Sequence, residues 1–263
     1  TWNNRRIAMP TPIAAQRLAD HGLILAETSA VTGSLVFERP AWLFGHRLKN
    51  CTVGAFSFWN ASGHTAAYRT HFGRYTQIGE SSIIGPPEHP MDWFSSHPFA
   101  FGRPQHLPSM YQVPDFARLA PDADAGPSYV DGVVNDTWID HEAYIGAACF
   151  VKRGVRVGIG ACVGARSVVT RDIPAFAMAV GSPAKVLRMR FSDAIIERLL
   201  ALAWWQYDLA PHKKQVDFAQ VEATLAFFEQ CKAEGRLQPL RPDTYTLMRN
   251  DDQMTLAERP PLF

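Results

Sequence analysis

The chain has 263 residues, a formal net charge of +1 and an apolar fraction of 47%, which suits one large domain with appendages. A charge so close to zero excludes the broad basic footprint of a nucleic-acid or anionic-membrane binder, and no apolar stretch is long enough to span a bilayer. The opening TWNNRRIAMPTP lacks the apolar centre of a signal peptide, so a cytoplasmic protein is expected. Cys51, Cys149, Cys162 and Cys231 show neither CxxC nor other ligand spacing. They read as free thiols, and no metal site is expected.

Residues 1–45 read as an N-terminal extension with a short helix over 11–21, where Ile13 and Leu18 share a face and Gly22 supplies the stop. The pattern turns extended from about Val31. A spacing of six then governs 46–190, loosely from Val53 and more regularly from Phe72, Ile78 and Ile84. The step from Val53 to Phe72 is one residue too long for three hexads, which calls for an enlarged turn. After Gly85 the repeat gives way to a loop over 86–130, rich in proline, histidine and aromatics, with a turn-rich end at 121–127. A structureless segment of that length inside a compact domain is uncommon and usually functional.

The repeat returns at Val133 and runs through seven hexads to Pro174. They open on Val133, Ile139, Ile145, Val151, Val157, Val163 and Val169, and their fifth places hold Thr137, Ala143, Cys149, Val155, Ala161, Ser167 and Ile173. A period of six is neither helical nor a long alternating strand. It marks a parallel β-helix, an all-β solenoid whose short strands lie on successive faces of a prism and whose equivalent residues stack inward. The prism is expected to end near Pro174, with its exit at Gly181-Ser182-Pro183. Residues 191–263 then read as a helix from Ala194 to about Trp205 that covers the open end, a second helix over 218–232 stopped by Gly235, and a polar, proline-punctuated arm.

The hexads, followed by Ala179-Val180-Gly181-Ser182-Pro183-Ala184-Lys185-Val186, resemble the C-terminal coils of hexapeptide acyltransferases. The string His89-Pro90-Met91-Asp92-Trp93-Phe94-Ser95-Ser96-His97-Pro98-Phe99 resembles, more narrowly, the xenobiotic acetyltransferase branch. That branch includes type B chloramphenicol and streptogramin acetyltransferases and many polysaccharide and sugar O-acetyltransferases. The resemblance covers about residues 50–207. It implies a left-handed β-helix, a homotrimer with active sites at subunit clefts, and acetyl-CoA as co-substrate.

Moving an acetyl group from a thioester to a hydroxyl or amine needs a base for the acceptor's proton, and imidazole titrates nearest neutral pH. His89 sits where the repeat breaks, free to project beside a cleft, and the resemblance places the general base there. His97 is a second candidate at the acceptor, with Ser95 and Ser96 beside it. The partner that orients His89 could be Glu88, Asp92 or a backbone carbonyl. Trp93, Phe94 and Tyr111 give the loop an aromatic wall that suits an acceptor, or that anchors the loop on a neighbouring subunit. By resemblance, Ala147 and Ala165 lie where related enzymes hold the pantetheine arm. Thr170, Arg171, Lys185 and Arg188 match positions that meet the nucleotide end, and Trp138 could wall the groove.

The acceptor is expected to be a saccharide or other hydroxylated small molecule, with an antibiotic or an amino sugar as the second choice. Two rivals keep the fold. A γ-carbonic-anhydrase-like zinc enzyme would need histidines such as His64, His71 and His89 as ligands, but no HxxxxH occurs in the chain. A non-enzymic scaffold would need neither the histidine loop nor the cationic stretch after Pro183.

Overall fold

The computed structural model describes residues 11–25, 31–102, 104, 107–121, 135–250 and 253–263. Short parallel strands stack into a three-faced prism. The first face carries Thr70–Phe72, Thr137–Ile139 and Arg156–Val157, extended by a bridge from Val157 to Ile173. Its second face carries Gln77–Ile78, Tyr144–Ile145, Cys162–Val163 and Ala177–Gly181. On the third lie Ile83–Ile84, Phe150–Val151 and Val168–Val169.

The hexad openers from Ile139 to Val169 are all sealed from solvent, and the fifth-place residues from Thr137 to Ile173 are buried beside them. Each coil therefore points two residues per face inward, and the stack forms one continuous apolar core. Val133, the first opener, lies outside the described residues. Across the loop, Phe72 is the register partner of Ile139 and Ile78 of Ile145, so coils on either side of the interruption stack directly.

Corners are tight. A Cβ on Gly79 would lie 2.4 Å from the Ala147 nitrogen, and one on Gly146 would lie 2.5 Å from the Ala165 nitrogen. Only glycine allows backbones to stack that closely.

The N-terminal coils have longer strands because the chain stays extended around the corners. Ala41–Val53 pairs in turn with segments belonging to the second, third and first faces. Val53 pairs with Phe72, so this coil carries the extra residue that the spacing demanded.

Buried at this end is Glu38, whose carboxylate accepts two bonds from Arg74, at 2.7 and 2.8 Å. It also accepts the N–H groups of Ala55 and Leu262. Arg74 in turn donates to the Trp205 and Phe263 carbonyls. Removing either partner would strand a charge in the interior.

Five sequence expectations change. The 11–21 helix is a 3-10 helix, Ala15–His21, preceded by strand Thr11–Pro12, which pairs with residues 255 and 256. The prism continues past Pro174, because Met178 and Ala179 pair with Cys162 and Val163. Its C-terminal edge is then covered by the antiparallel strand Ala184–Met189.

Helices Asp193–Leu202 and Val221–Ala233 do not cap that end. They pack on each other and along the corner between the first and second faces, where Trp204 meets Tyr75 and Trp205 stacks on His141. The aliphatic stripe at 195–202 thus finds its partner in the second helix.

The final segment is not an arm. Thr244–Asn250 and Gln253–Arg259 form a hairpin whose first strand pairs with Val31–Glu38. Tyr245, Leu247 and Leu256 are buried at alternate positions that the polar neighbours disguise.

The loop is not structureless either. Single helical turns form at Pro98–Phe101, Pro108–Tyr111 and Pro114–Ala117, each opened by the proline that favours a first helical position. The end of the predicted loop, 122–130, lies outside the described residues.

Candidate active site

The loop leaves the corner between the third and first faces. Lys152 and Arg153, on the next coil at that corner, hold its first residues. Arg153 donates to the Gly85 carbonyl at 3.0 Å, and Lys152 lies 3.7 Å from Glu88.

His89 follows immediately and is exposed. Its Nδ1 lies 2.7 Å from the Ser96 carbonyl oxygen, and its ring rests 4.9 Å from that of Phe101. A carbonyl can only accept, so Nδ1 carries the proton and Nε2 presents a lone pair. Neither Glu88 nor Asp92 orients the ring; a backbone carbonyl does. The chain doubles back through Ser95 and Ser96 to supply it.

His97 is engaged differently. Its Nδ1 accepts the Phe99 N–H at 3.3 Å and caps the turn Pro98–Phe101, while its own N–H donates to Ser95 Oγ. Met91 and Phe94 stand almost wholly in solvent, and Trp93 is less exposed. Tyr111 has a buried hydroxyl without a hydrogen-bond partner among the described residues, and burial raises its pKa.

Thr170 and Arg171 are exposed at the same corner as the loop base, one coil beyond Lys152 and Arg153. Ala147 and Ala165 occupy a different corner, between the second and third faces, with bare backbone around them. Arg166 N–H donates to the Ala147 carbonyl there. Lys185 and Arg188 are exposed on strand Ala184–Met189, opposite Val180 and Met178. One chain thus brings His89, Thr170 and Arg171 to one edge and leaves Ala147, Ala165, Lys185 and Arg188 on others.

Trp138 is exposed on the prism surface. It faces out from the first face with its ring stacked on His71 at 4.2 Å and the Arg156 guanidinium 5.5 Å from its centroid.

A cluster that the spacing of residues did not suggest lies beside it. His71 Nδ1 is 2.9 Å from Thr52 Oγ1 and its Nε2 is 2.9 Å from Asp136, which also accepts from Arg69. The Asp136 carboxyl is held below its usual range by bonds from His71 and Arg69, which outweigh its burial. This clasp fastens the chain where it re-enters the prism after the loop. Only the register pairing of Thr52, His71 and Trp138 across coils could have revealed it.

His71 has both ring nitrogens engaged, His89 has its Nδ1 on the Ser96 carbonyl, and the side chain of His64 lies outside the described residues. Among the described residues no group of three His, Cys, Asp or Glu side chains could hold a metal ion. Cys51 and Cys149 are buried, and burial raises both thiols, Cys51 to about 12. No helix of the described residues is long and apolar enough to cross a membrane.

A prism of stacked hexapeptide coils interrupted by a histidine-bearing loop is the architecture expected above of a hexapeptide acyltransferase. No protein-family model matches the chain, but individual relatives do. It is 31% identical over 173 residues to a chloramphenicol acetyltransferase of Agrobacterium fabrum, covering 59% of this chain and 75% of that one. Against a chloramphenicol acetyltransferase of Morganella morganii the identity is 30% over 178 residues, covering 61% and 77%. A probable macrolide acetyltransferase of Lysinibacillus sphaericus is 29% identical over 140 residues, covering 51% and 68%. The chain belongs to the hexapeptide-repeat acyltransferases, in their xenobiotic acetyltransferase branch, and its solenoid is a parallel β-helix.

Proposed function

We propose that this acyltransferase transfers acetyl from acetyl-CoA to a hydroxyl of a small molecule, with His89 as general base. The observation that carries the reading is the 2.7 Å contact from His89 Nδ1 to the Ser96 carbonyl, which leaves Nε2 as the acceptor of a proton. In the proposed step Nε2 takes the proton of the acceptor hydroxyl as its oxygen attacks the acetyl carbonyl. The carbon–sulfur bond then breaks, and the proton passes from His89 to the departing sulfur. No acyl-enzyme is required. His97 supports the loop through its Nδ1, which leaves its Nε2 as the atom proposed to meet the acceptor.

Backbone around Ala147 and Ala165 suits the pantetheine arm, and Thr170, Arg171, Lys185 and Arg188 suit the phosphates. These positions lie at separate edges of one chain, so the complete site is proposed to form between copies in a homotrimer. Exposed apolar columns support such packing. Trp42, Phe58 and Tyr144 lie along the second face, with Gln77 between the last two, and Ile83 stands on the third. Trp93, Phe94 and the Tyr111 hydroxyl are proposed to meet the acceptor.

The names of the relatives favour an antibiotic alcohol as acceptor, so this reading stands beside a saccharide. Release of free thiol from acetyl-CoA, followed with chloramphenicol, a macrolide, a streptogramin, nucleotide sugars and oligosaccharides, tests both. Acetylation of an alcohol in that panel, absent in His89→Ala, is expected. Undiminished turnover by His89→Ala would overturn the role of His89, and acetylation confined to amines would overturn the acceptor chemistry.

A further inference from the structure

At the corner between the first and second faces, a different corner from the one the histidine loop leaves, the two long helices and the prism line a half-open cavity of about 200 Å³. Its walls include Phe176 and Phe191 from the prism and its exit, Leu202 and Trp204 from the first helix and its end, and Leu225 and Phe228 from the second. Phe218, largely exposed, stands at the mouth. We propose that this cavity is a binding site for a neutral, apolar small molecule of the size of one aromatic ring or a short hydrocarbon chain.

Size and charge both lead there. An apolar cavity of roughly 150 Å³ lined by similar side chains stays dry and takes up benzene, so the space here is sufficient. The charged and hydroxyl side chains in the lining are already paired. Arg190 is paired with Glu142 at 2.8 Å, donates to the Gly160 carbonyl at 2.6 Å, and lies over the rings of Phe176 and Phe191. Thr224 donates its hydroxyl to the Asp217 carbonyl at 2.7 Å. A charged ligand would lose its hydration and find no free counter-charge. A neutral one would gain contact with side chains that lack partners on the cavity side. Its location on a different corner separates this site from both the proposed base and the small-residue corner at Ala147 and Ala165.

The test uses the full chain with toluene as probe and benzoate as its charged counterpart. Toluene is expected to raise the melting temperature in a concentration-dependent way and to shift the methyl resonances of Leu199, Leu202 and Leu225 in NMR spectra. Benzoate is expected to bind at least about ten-fold more weakly. Val221→Trp, which fills the cavity from its half-buried rim, should abolish the toluene response, and its unliganded melting curve reports whether it folds. Should it misfold, Thr224→Leu, also in the lining, replaces it and should at least change the toluene affinity. No response of the native protein near toluene saturation, benzoate binding as well as toluene, or an undiminished response in the folded variant would each overturn the proposal.

Discussion

The regular coils and the loop that interrupts them hold their residues by opposite means. In the coils each corner is fixed by repeated backbone bonds, such as Gly79 N–H to the Ile145 carbonyl at 2.7 Å and Gly146 N–H to that of Val163 at 2.8 Å. The inward residues above and below repeat the same restraint. In the loop the orientation of His89 depends on one carbonyl and one ring contact. Restraint is spread in the first region and concentrated in the second, so a substitution in the coils should cost stability and one in the loop should cost rate.

The sharpest way to break this contrast is His89→Ala. It should lower kcat/KM by about 10²–10⁴-fold and leave the melting temperature unchanged; a large fall in melting temperature would show that the loop carries fold stability after all. Next comes Arg74→Met, which leaves the Glu38 carboxylate buried with only two N–H donors. A loss of about 3–5 kcal/mol in urea unfolding is expected, with kcat retained under native conditions.

His141 gives a smaller, pH-dependent effect. Burial, with Arg74 and Arg156 nearby, pushes its pKa from 6.5 down to about 4, and its Nδ1 accepts the Arg74 N–H. The unfolded imidazole takes up its proton first as pH falls. Its contribution is therefore complete above about pH 6.5 and lost on the way down to about 4, on the order of 3 kcal/mol. His141→Asn, which keeps an acceptor but does not titrate, should flatten that part of the stability profile. Smallest is Lys152→Met, which removes an exposed ion pair worth less than about 1 kcal/mol. It should change kcat slightly and stability not measurably.

Sequence periodicity reached the coils because their physics repeats. Ile139, Ile145 and Val151 meet the same environment six residues apart, so pattern and burial coincide. It pointed to His89 as the proposed base because the loop interrupts that pattern. It could not find the Ser96 carbonyl, since a backbone atom leaves no trace in residue type. Nor could it join Asp136 to His71 and Thr52, which depends on coils stacked across the loop. The closing hairpin at 244–259 was hidden because its exposed half is polar and its buried half, Tyr245, Leu247 and Leu256, has a period of two, not six.

That hairpin has a consequence for how the molecule reaches its native state. A solenoid whose coils touch only their neighbours can grow by simple addition. Here the strand Thr244–Asn250 pairs with Val31–Glu38, and the Asp243 carbonyl accepts the Arg39 N–H. A strand near one end of this sequence order is thus sealed by one that emerges much later. Until then the first coil presents an unpaired sheet edge, the feature that invites aggregation. Such a long-range closure slows folding. Deleting residues 244–263 should therefore lower the soluble yield far more than it lowers the regularity of the distant C-terminal coils.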